Sequence, residues 1–242
     1  HYARRFVGDL GAELHRAHDK NRDQSYFLFT TTGEQLDFLR FPLGDIGKSE
    51  VRHHAERLGL AVAEKPDSQD ICFVPKGNYS AIIEKLRPGA AEAGEIVNLD
   101  GKILGEHAGI IHFTVGQRRG LGISSSEPLY VIDIDAASRR VTVGPKNQLM
   151  RDRVILHPPH FLTTDSATLV NEELTVRLRS THPGTPARLI INENGNFELE
   201  LSQLEEATAS GQAAVFYRGS RLLGGAWIAG MHQSAELKQA AT

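Results

Sequence analysis

Cysteine is almost missing from this sequence: Cys72 is the one thiol in 242 residues. A lone thiol excludes an internal disulfide framework and any multi-cysteine zinc site. No apolar run approaches the roughly 18 residues of a membrane helix. No signal peptide opens the chain either, so the cytoplasm is the default compartment and no membrane partner is expected. Excess charge is also lacking, since 27 Lys and Arg stand against 30 Asp and Glu, for a formal net charge of −3. Global charge therefore does not advertise a nucleic-acid binder. There is no Walker A loop, no nucleophile elbow and no kinase motif set. The histidines show no metal-ligand spacing: His53 and His54 are adjacent and diverge, and His15 and His18 lack partners of recognised spacing, so no metal site is expected. An initiator Met is absent from His1-Tyr2-Ala3-Arg4-Arg5, which reads like the middle of a longer chain.

What is present describes a globular chain able to bury a core, with 40% hydrophobic and 24% charged residues. The first ninety residues mix helix and loop signals and read as the tail of an α/β domain. Val51, Ala55 and Leu58 recur at helical spacing ahead of Gly59, and Tyr79, Ile82, Ile83 and Leu86 repeat that spacing before Arg87-Pro88-Gly89. Tyr26-Phe27-Leu28-Phe29 is a short apolar run, suited to a buried strand or helix segment. From about residue 90 the texture becomes β. Asp100-Gly101 sits between two apolar runs as a hairpin signal, and residues 129–135 and 139–144 form a second pair. Pro158-Pro159 lies near a plausible boundary. Six short runs follow at 175–179, 187–191, 197–201, 213–217, 221–223 and 226–228, which suggest a small sandwich or barrel. Residues 233–242 read as a frayed tail.

Several segments could carry chemistry. Cys72 lies in Asp67-Ser68-Gln69-Asp70-Ile71-Cys72-Phe73, where two readings stand: an inert core thiol, or a thiolate activated by a nearby cation such as Lys65 or Lys76. Arg22-Asp23-Gln24 sets a cation, an anion and an amide before the aromatic run. Gln24 suits a base edge and Arg22 a phosphate, against the plainer reading of a surface turn. Phe113-Thr114-Val115-Gly116-Gln117-Arg118-Arg119-Gly120-Leu121-Gly122 is a glycine-rich loop whose adjacent arginines suit a phosphate backbone or a plain exposed turn. Arg177 and Arg179 alternate with Val176 and Leu178, which on a strand sets both guanidinium groups on one face. A basic stripe of Arg139, Arg140, Lys146, Arg151 and Arg153 against the single acid Asp152 suits either phosphate or a solvated hairpin surface.

Singly these signals are weak, but their order is informative. His-Tyr-Ala-Arg at 1–4, Arg-Asp-Gln-Ser-Tyr-Phe-Leu at 22–28 and Phe-Pro-Leu-Gly at 41–44 come first. Lys-x-Glu-Val-Arg at 48–52, the Cys72 motif, the Arg118-Arg119 loop and Gly-Gln-Ala-Ala-Val-Phe-Tyr at 211–217 follow. This succession, over residues 1 to about 230, resembles the bacterial tRNA-specific 2-thiouridylase family.

The resemblance implies an α+β multidomain fold. Residues 1–80 would be the C-terminal part of a pyrophosphatase-loop nucleotide-binding domain, 81–152 a small central β-rich domain, and 153–232 a translation-factor-like β-barrel, with 233–242 a tail. It implies an enzyme that replaces the 2-oxygen of the wobble uridine in tRNA with sulfur. ATP with magnesium would activate that oxygen, and a sulfur-relay protein or cysteine desulfurase would donate the persulfide. Cys72 matches the persulfide carrier. His1, Arg22, Asp23, Gln24, Arg177, Leu178 and Gln212 match tRNA-contacting positions; Arg22 stands where lysine is usual, and Leu178 where a tyrosine could stack on a base. Arg118, Arg119 and Arg179 are further candidate phosphate contacts.

The family's nucleotide loop and first catalytic cysteine would precede His1. The chain corresponds to the C-terminal two-thirds of such an enzyme and is expected not to thiolate by itself. The competing reading is a non-enzymatic RNA-binding module of β-rich domains with a structural Cys72. A third is a small-molecule-binding barrel, which would show no salt-dependent tRNA affinity.

Overall fold

Arg4 and Arg5 interrupt any clean alternation at the start of the chain, yet residues 3–16 form a hairpin. In the computed structural model, which describes residues 1–9, 11–61, 63, 91–162 and 166–234, β1 (Ala3–Gly8) and β2 (Gly11–Arg16) pair antiparallel along their whole length. The signal was hidden because Phe6 and Val7 are solvent-exposed while Ala3 and Leu14 go inward. The aromatic run at 26–29 is neither a strand nor an α-helix. It is a 3-10 turn over Ser25–Leu28 that buries Tyr26 and leaves Phe27 exposed, with Phe29 buried just beyond it. α1 (Gly33–Phe38) starts from a capping box in which Thr32 and Gln35 satisfy each other's backbone N–H. α2 (Lys48–Arg57) lies where the 3.6-residue spacing predicts it and ends before Gly59, whose φ of +65° suits glycine. The helix expected at 78–86, the Cys72 motif and the tail from 235 fall outside the described residues.

The described residues divide into two compact units: one from 1–66, 152–204 and 210–242, the other from 67–151 and 205–209. In the second unit both predicted hairpins are present. β3 (Gly94–Val97) and β4 (Ile103–His107) flank the turn that carries Gly101, and β5 (Tyr130–Asp135) and β6 (Arg140–Gly144) flank an Asp135-led turn. The Asp135 carboxylate accepts from the N–H groups of Ala137 and Ser138, which is why aspartate begins the turn. A parallel β3–β6 pairing joins the hairpins into one sheet, in the order β4-β3-β6-β5. Its apolar face is Ile96, Val131, Val141 and Val143, closed by Leu121.

In the first unit the run of short alternating segments closes on itself. The strands are β7 (Met150–Leu156), β8 (His160–Phe161), β9 (Glu173–Arg177), β10 (Thr185–Ile191), β11 (Phe197–Glu206), β12 (Ala213–Arg218) and β13 (Arg221–His232). Six of them bond in the cycle β13-β12-β9-β10-β11-β7 and back to β13, a closed barrel with no free edge. The two runs expected at 221–223 and 226–228 are one long strand, β13. Pro158-Pro159 is a turn between β7 and β8, both of which pair with β13, and it lies a few residues past the change of unit between Arg151 and Asp152.

Inward residues such as Leu174, Val176, Leu189, Leu199 and Phe216 fill the barrel. The outer face of β12 is covered too, because Ala213, Val215 and Tyr217 pack against Leu14, Tyr26, Phe29 and Leu36. Burial on both faces explains why Ala213-Ala214-Val215-Phe216-Tyr217 is apolar throughout instead of alternating. The β1–β2 hairpin is tied to the barrel by main-chain pairing of β2 with β13 at Leu14 and Leu222.

Close approach at the barrel wall depends on Gly225. A Cβ there would stand 2.7 Å from the Phe29 ring and 2.8 Å from the Ala214 carbonyl oxygen, both fixed groups. Gly225→Ala is expected to destabilise the unit by about 1–3 kcal/mol through overpacking. A denaturant midpoint equal to that of the parent would show that the wall yields.

Candidate functional site

Arg22-Asp23-Gln24 follows β2 and leads into the 3-10 turn, so these side chains are set by what the loop can bond to. Asp23 turns inward, and its carboxylate is fully buried. Oδ1 accepts from the backbone N–H of Ala17 at 3.1 Å and of Ser25 at 3.2 Å. Oδ2 accepts from Arg16 Nε at 3.1 Å and from Arg177 Nη1 at 2.7 Å. Burial would push the Asp23 carboxyl up. Hydrogen bonds from Ser25 and the Ala17 backbone, with the Arg16 charge, outweigh it and hold the group below the usual carboxylate range.

Arg177 ends β9 and is itself only 5% exposed. Its remaining donors reach the carbonyl oxygens of His182, at 2.9 Å, and of Ser180. The planar fork thus meets three acceptors, and its face lies over Tyr26 with 5.7 Å from guanidinium carbon to ring centre. Arg16 lies similarly over Tyr217, at 5.6 Å. The Tyr217 hydroxyl and Ser25 Oγ are 3.2 Å apart. Burial pushes the Tyr217 phenol up to about 12, so it stays protonated.

Around this buried pair the structure gathers residues far apart in sequence. Tyr2 and Gln24 exchange two hydrogen bonds, Tyr2 N–H to Gln24 Oε1 at 2.8 Å and Gln24 N–H to the Tyr2 carbonyl at 2.8 Å, which holds His1 beside Gln24. The Tyr26 hydroxyl donates to the Ala213 carbonyl at 2.8 Å, next to exposed Gln212. His1, Arg22, Gln24 and Gln212 keep solvent exposure, whereas Asp23 and Arg177 do not.

Burial and strand ends place several of these residues differently from a surface reading. Asp23 and Arg177 are internal braces whose charges are spent on each other, so neither presents its charged group to solvent. Leu178 is 1% exposed and its side chain packs in the barrel core. Arg177 and Arg179 do not share a strand face: β9 stops at Arg177, and Arg179 is exposed in the turn that follows.

The basic stripe is also internally neutralised. Arg139 pairs with Glu92, Arg140 with Glu95 at 2.9 Å, Lys146 with Glu206 at 2.9 Å and Arg153 with Glu200 at 2.6 Å. Arg151 donates to the Gln148 and Met150 carbonyls. The plain reading of that stripe, a solvated hairpin surface, fits these pairs.

The glycine-rich loop of the second unit is different. Gly116 N–H donates to the Val131 carbonyl and Val131 N–H to the Gln117 carbonyl, pinning the loop to β5. The Gln117 side chain bridges Thr114 N–H and the Arg119 carbonyl. Arg118 and Arg119 remain exposed, with no ion pair among the described residues. No group of three or more His, Cys, Asp and Glu among the described residues comes together to hold a metal ion. None of the described helices is long and apolar enough to cross a membrane.

Sequence reasoning missed Arg16, Ser25 and Tyr217, the supports of the Asp23–Arg177 pair. No spacing rule links Arg16 to Asp23 across a turn. Tyr217 closes the Gly-Gln-Ala-Ala-Val-Phe-Tyr run, whose unbroken apolar character was the available signal.

Comparison with known proteins divides the chain into three matched regions. Residues 1–76 match the tRNA methyl transferase HUP domain, 82–145 the tRNA methyl transferase PRC-barrel domain and 151–228 the aminomethyltransferase β-barrel domain. The tRNA-specific 2-thiouridylase MnmA of Rhodospirillum centenum is 54% identical over 249 residues, covering 99% of this chain and 63% of the relative. That of Paracoccus denitrificans is 55% identical over 232 residues, covering 94% and 59%. That of Parvibaculum lavamentivorans is 50% identical over 252 residues, covering 100% and 63%. The chain therefore spans about three-fifths of the length of these curated relatives.

Proposed function

From the premise that this chain belongs to the tRNA-specific 2-thiouridylase family, we propose that the protein carrying it replaces the 2-oxygen of a tRNA wobble uridine with sulfur. The observation that supports this reading most is the convergence of His1, Arg22, Gln24 and Gln212 around one buried ion pair. Asp23 and Arg177 act there by holding the Arg22–Gln24 segment against the barrel, and the exposed residues meet the RNA. Arg22 faces phosphate as a cation, Gln24 and Gln212 offer amide donors and acceptors to nucleotide edges, and His1 adds an imidazole. Arg118, Arg119 and Arg179, being exposed, contribute sequence-independent phosphate contacts.

Cys72 is the persulfide carrier in this reading. A persulfide is more acidic than a thiol and nucleophilic near neutral pH. Its terminal sulfur forms the bond to C2 of the uridine as the activated oxygen leaves. A second thiol, which this sequence does not contain, then attacks the Cys72 sulfur. The sulfur–sulfur bond breaks, the outer sulfur stays on C2 of the base, and Cys72 forms a disulfide with the second thiol. A dithiol reductant restores both thiols. A sulfur-relay protein or cysteine desulfurase loads Cys72. ATP supplies the activation of the 2-oxygen.

The test is nucleoside analysis of tRNA from cells in which the gene encoding this chain is deleted and then restored. Wobble 2-thiouridine is expected to vanish on deletion and return on restoration. Unchanged 2-thiouridine, or loss of a methylated nucleoside in its place, would overturn the reading. The same measurement separates sulfur transfer from a purely RNA-binding role.

A further inference from the structure

A cavity of about 260 Å³ opens in the second unit beside the glycine-rich loop. The loop is held by the Gly116 and Gln117 bonds to Val131, and by Leu121, which is 7% exposed and closes the apolar face of the sheet. Gly120 and Gly122, on either side of Leu121, have φ of +74° and +72°, while Leu121 keeps the ordinary negative sign. Backbone of alternating hand turns successive N–H groups to one side, an arrangement that binds anions. The N–H groups of Gly120, Leu121 and Gly122 meet no acceptor among the described residues, and all three residues line the cavity. A Cβ at Gly122 would touch nothing within 4 Å, so the loop is open there.

Two side chains of opposite charge, Arg118 and Glu127, line the same cavity. Both are exposed, and neither side chain has a hydrogen bond or ion pair among the described residues, not even with the other. A carboxylate here works against a bare phosphate. The rest of the wall is largely apolar, from Leu121, Ile123, Pro128 and Leu129. The cavity thus offers a cation with N–H donors, a hydrophobic wall and a separate carboxylate acceptor. A ligand that uses all three carries an anion, a flat ring and N–H donors on that ring. A nucleotide with an amino-bearing base has each of these.

We infer that this cavity receives one unpaired nucleotide of the tRNA. Its phosphate meets Arg118 and the N–H groups of residues 120–122, its base lies against the apolar wall, and the amino group of the base donates to Glu127. Bases outside a helix are the ones whose edges a protein reaches in RNA. Arg119 is exposed, has no ion pair among the described residues and stands outside the cavity lining. It takes the next phosphate, which an RNA chain has and a nucleoside monophosphate lacks. This inference rests on the tRNA reading of the protein and extends it from backbone contact to base recognition by the second unit.

The experiment measures filter binding of a tRNA transcript bearing a wobble uridine to the protein carrying this chain, over a range of salt concentrations. Arg118→Ala is expected to weaken binding about tenfold and to lower the slope of log affinity against log salt by about one. Glu127→Ala is expected to weaken binding about fivefold or more, although it removes a negative charge. Tighter or unchanged binding by Glu127→Ala, or a parent slope in Arg118→Ala, would overturn the nucleotide site and leave the tRNA reading standing. Failure of the parent protein to bind tRNA would overturn both. A second measurement needs no variant: the transcript should protect Arg118 from phenylglyoxal, read by mass spectrometry of its peptide, and ATP should not. Protection by ATP alone would assign the cavity to a free nucleotide and overturn the RNA occupant.

Discussion

Asp23→Ala is expected to destabilise the first unit by about 3–5 kcal/mol, the usual consequence of removing one partner from a buried ion pair. The Arg177 side chain is 6% exposed, so the substitution leaves a guanidinium charge inside the protein without its anion. It also orphans the Ala17 and Ser25 backbone N–H groups, which Asp23 Oδ1 now satisfies. Against a total stability of roughly 5–15 kcal/mol, that loss is large enough to unfold a marginal domain. Asp23→Asn keeps the shape and one acceptor and should cost less. Guanidinium denaturation of the three proteins measures the difference. A shift below about 1 kcal/mol for Asp23→Ala would mean that Arg177 finds water or another acceptor.

The same pair sets an acid limb with a definite sign. Asp23 is held below its ordinary value in the folded protein, so the unfolded chain binds its proton first as pH falls. Its contribution to stability is therefore complete above the unfolded carboxylate value of about 4 and is lost progressively below it. Asp23→Asn should flatten that part of the stability curve. An unaltered slope below about pH 4 would assign the acid limb to other carboxylates.

Cys72→Ser, in the protein restored to deletion cells, is expected to leave wobble 2-thiouridine at the level of the deletion. That is a fall by a factor on the order of 10³ or more, as for removal of other covalent nucleophiles. A serine oxygen cannot accept and hand on a sulfane sulfur, and no other cysteine in this sequence can substitute. Filter binding should show tRNA affinity within about twofold of the parent, since the substitution removes one atom's chemistry and not the phosphate contacts. Undiminished 2-thiouridine would return Cys72 to the role of a packed core residue. Alkylation gives a second measurement: a carrier thiol reacts in the native protein, whereas a core thiol reacts only after unfolding.

Much of the β architecture was legible in the sequence because its signals are local. Asp100-Gly101 and the Asp135 turn announce the hairpins β3–β4 and β5–β6, and period-two alternation announces β9, β10 and β11. The β1–β2 hairpin was not legible, because two adjacent arginines and two exposed apolar residues blur the alternation there. The Gly224-Gly225 pair in β13 marks a close backbone approach that a strand does not otherwise need.

Composition and local order alone determined the globular class, the turns, the run of short strands, the lone sulfur atom and the family resemblance. All of these depend on residues within a few positions of one another or on their succession along the chain. Only the tertiary structure decided that the strands close into a barrel, that Asp23 and Arg177 face inward while Arg22 and Gln24 stay half-buried and Gln212 exposed, and that Leu178 is core. Those outcomes depend on contacts such as Asp23 with Arg177 and Tyr26 with Ala213. Whether a charged side chain ends in solvent or against a buried counter-charge is settled by which distant segment the fold brings beside it.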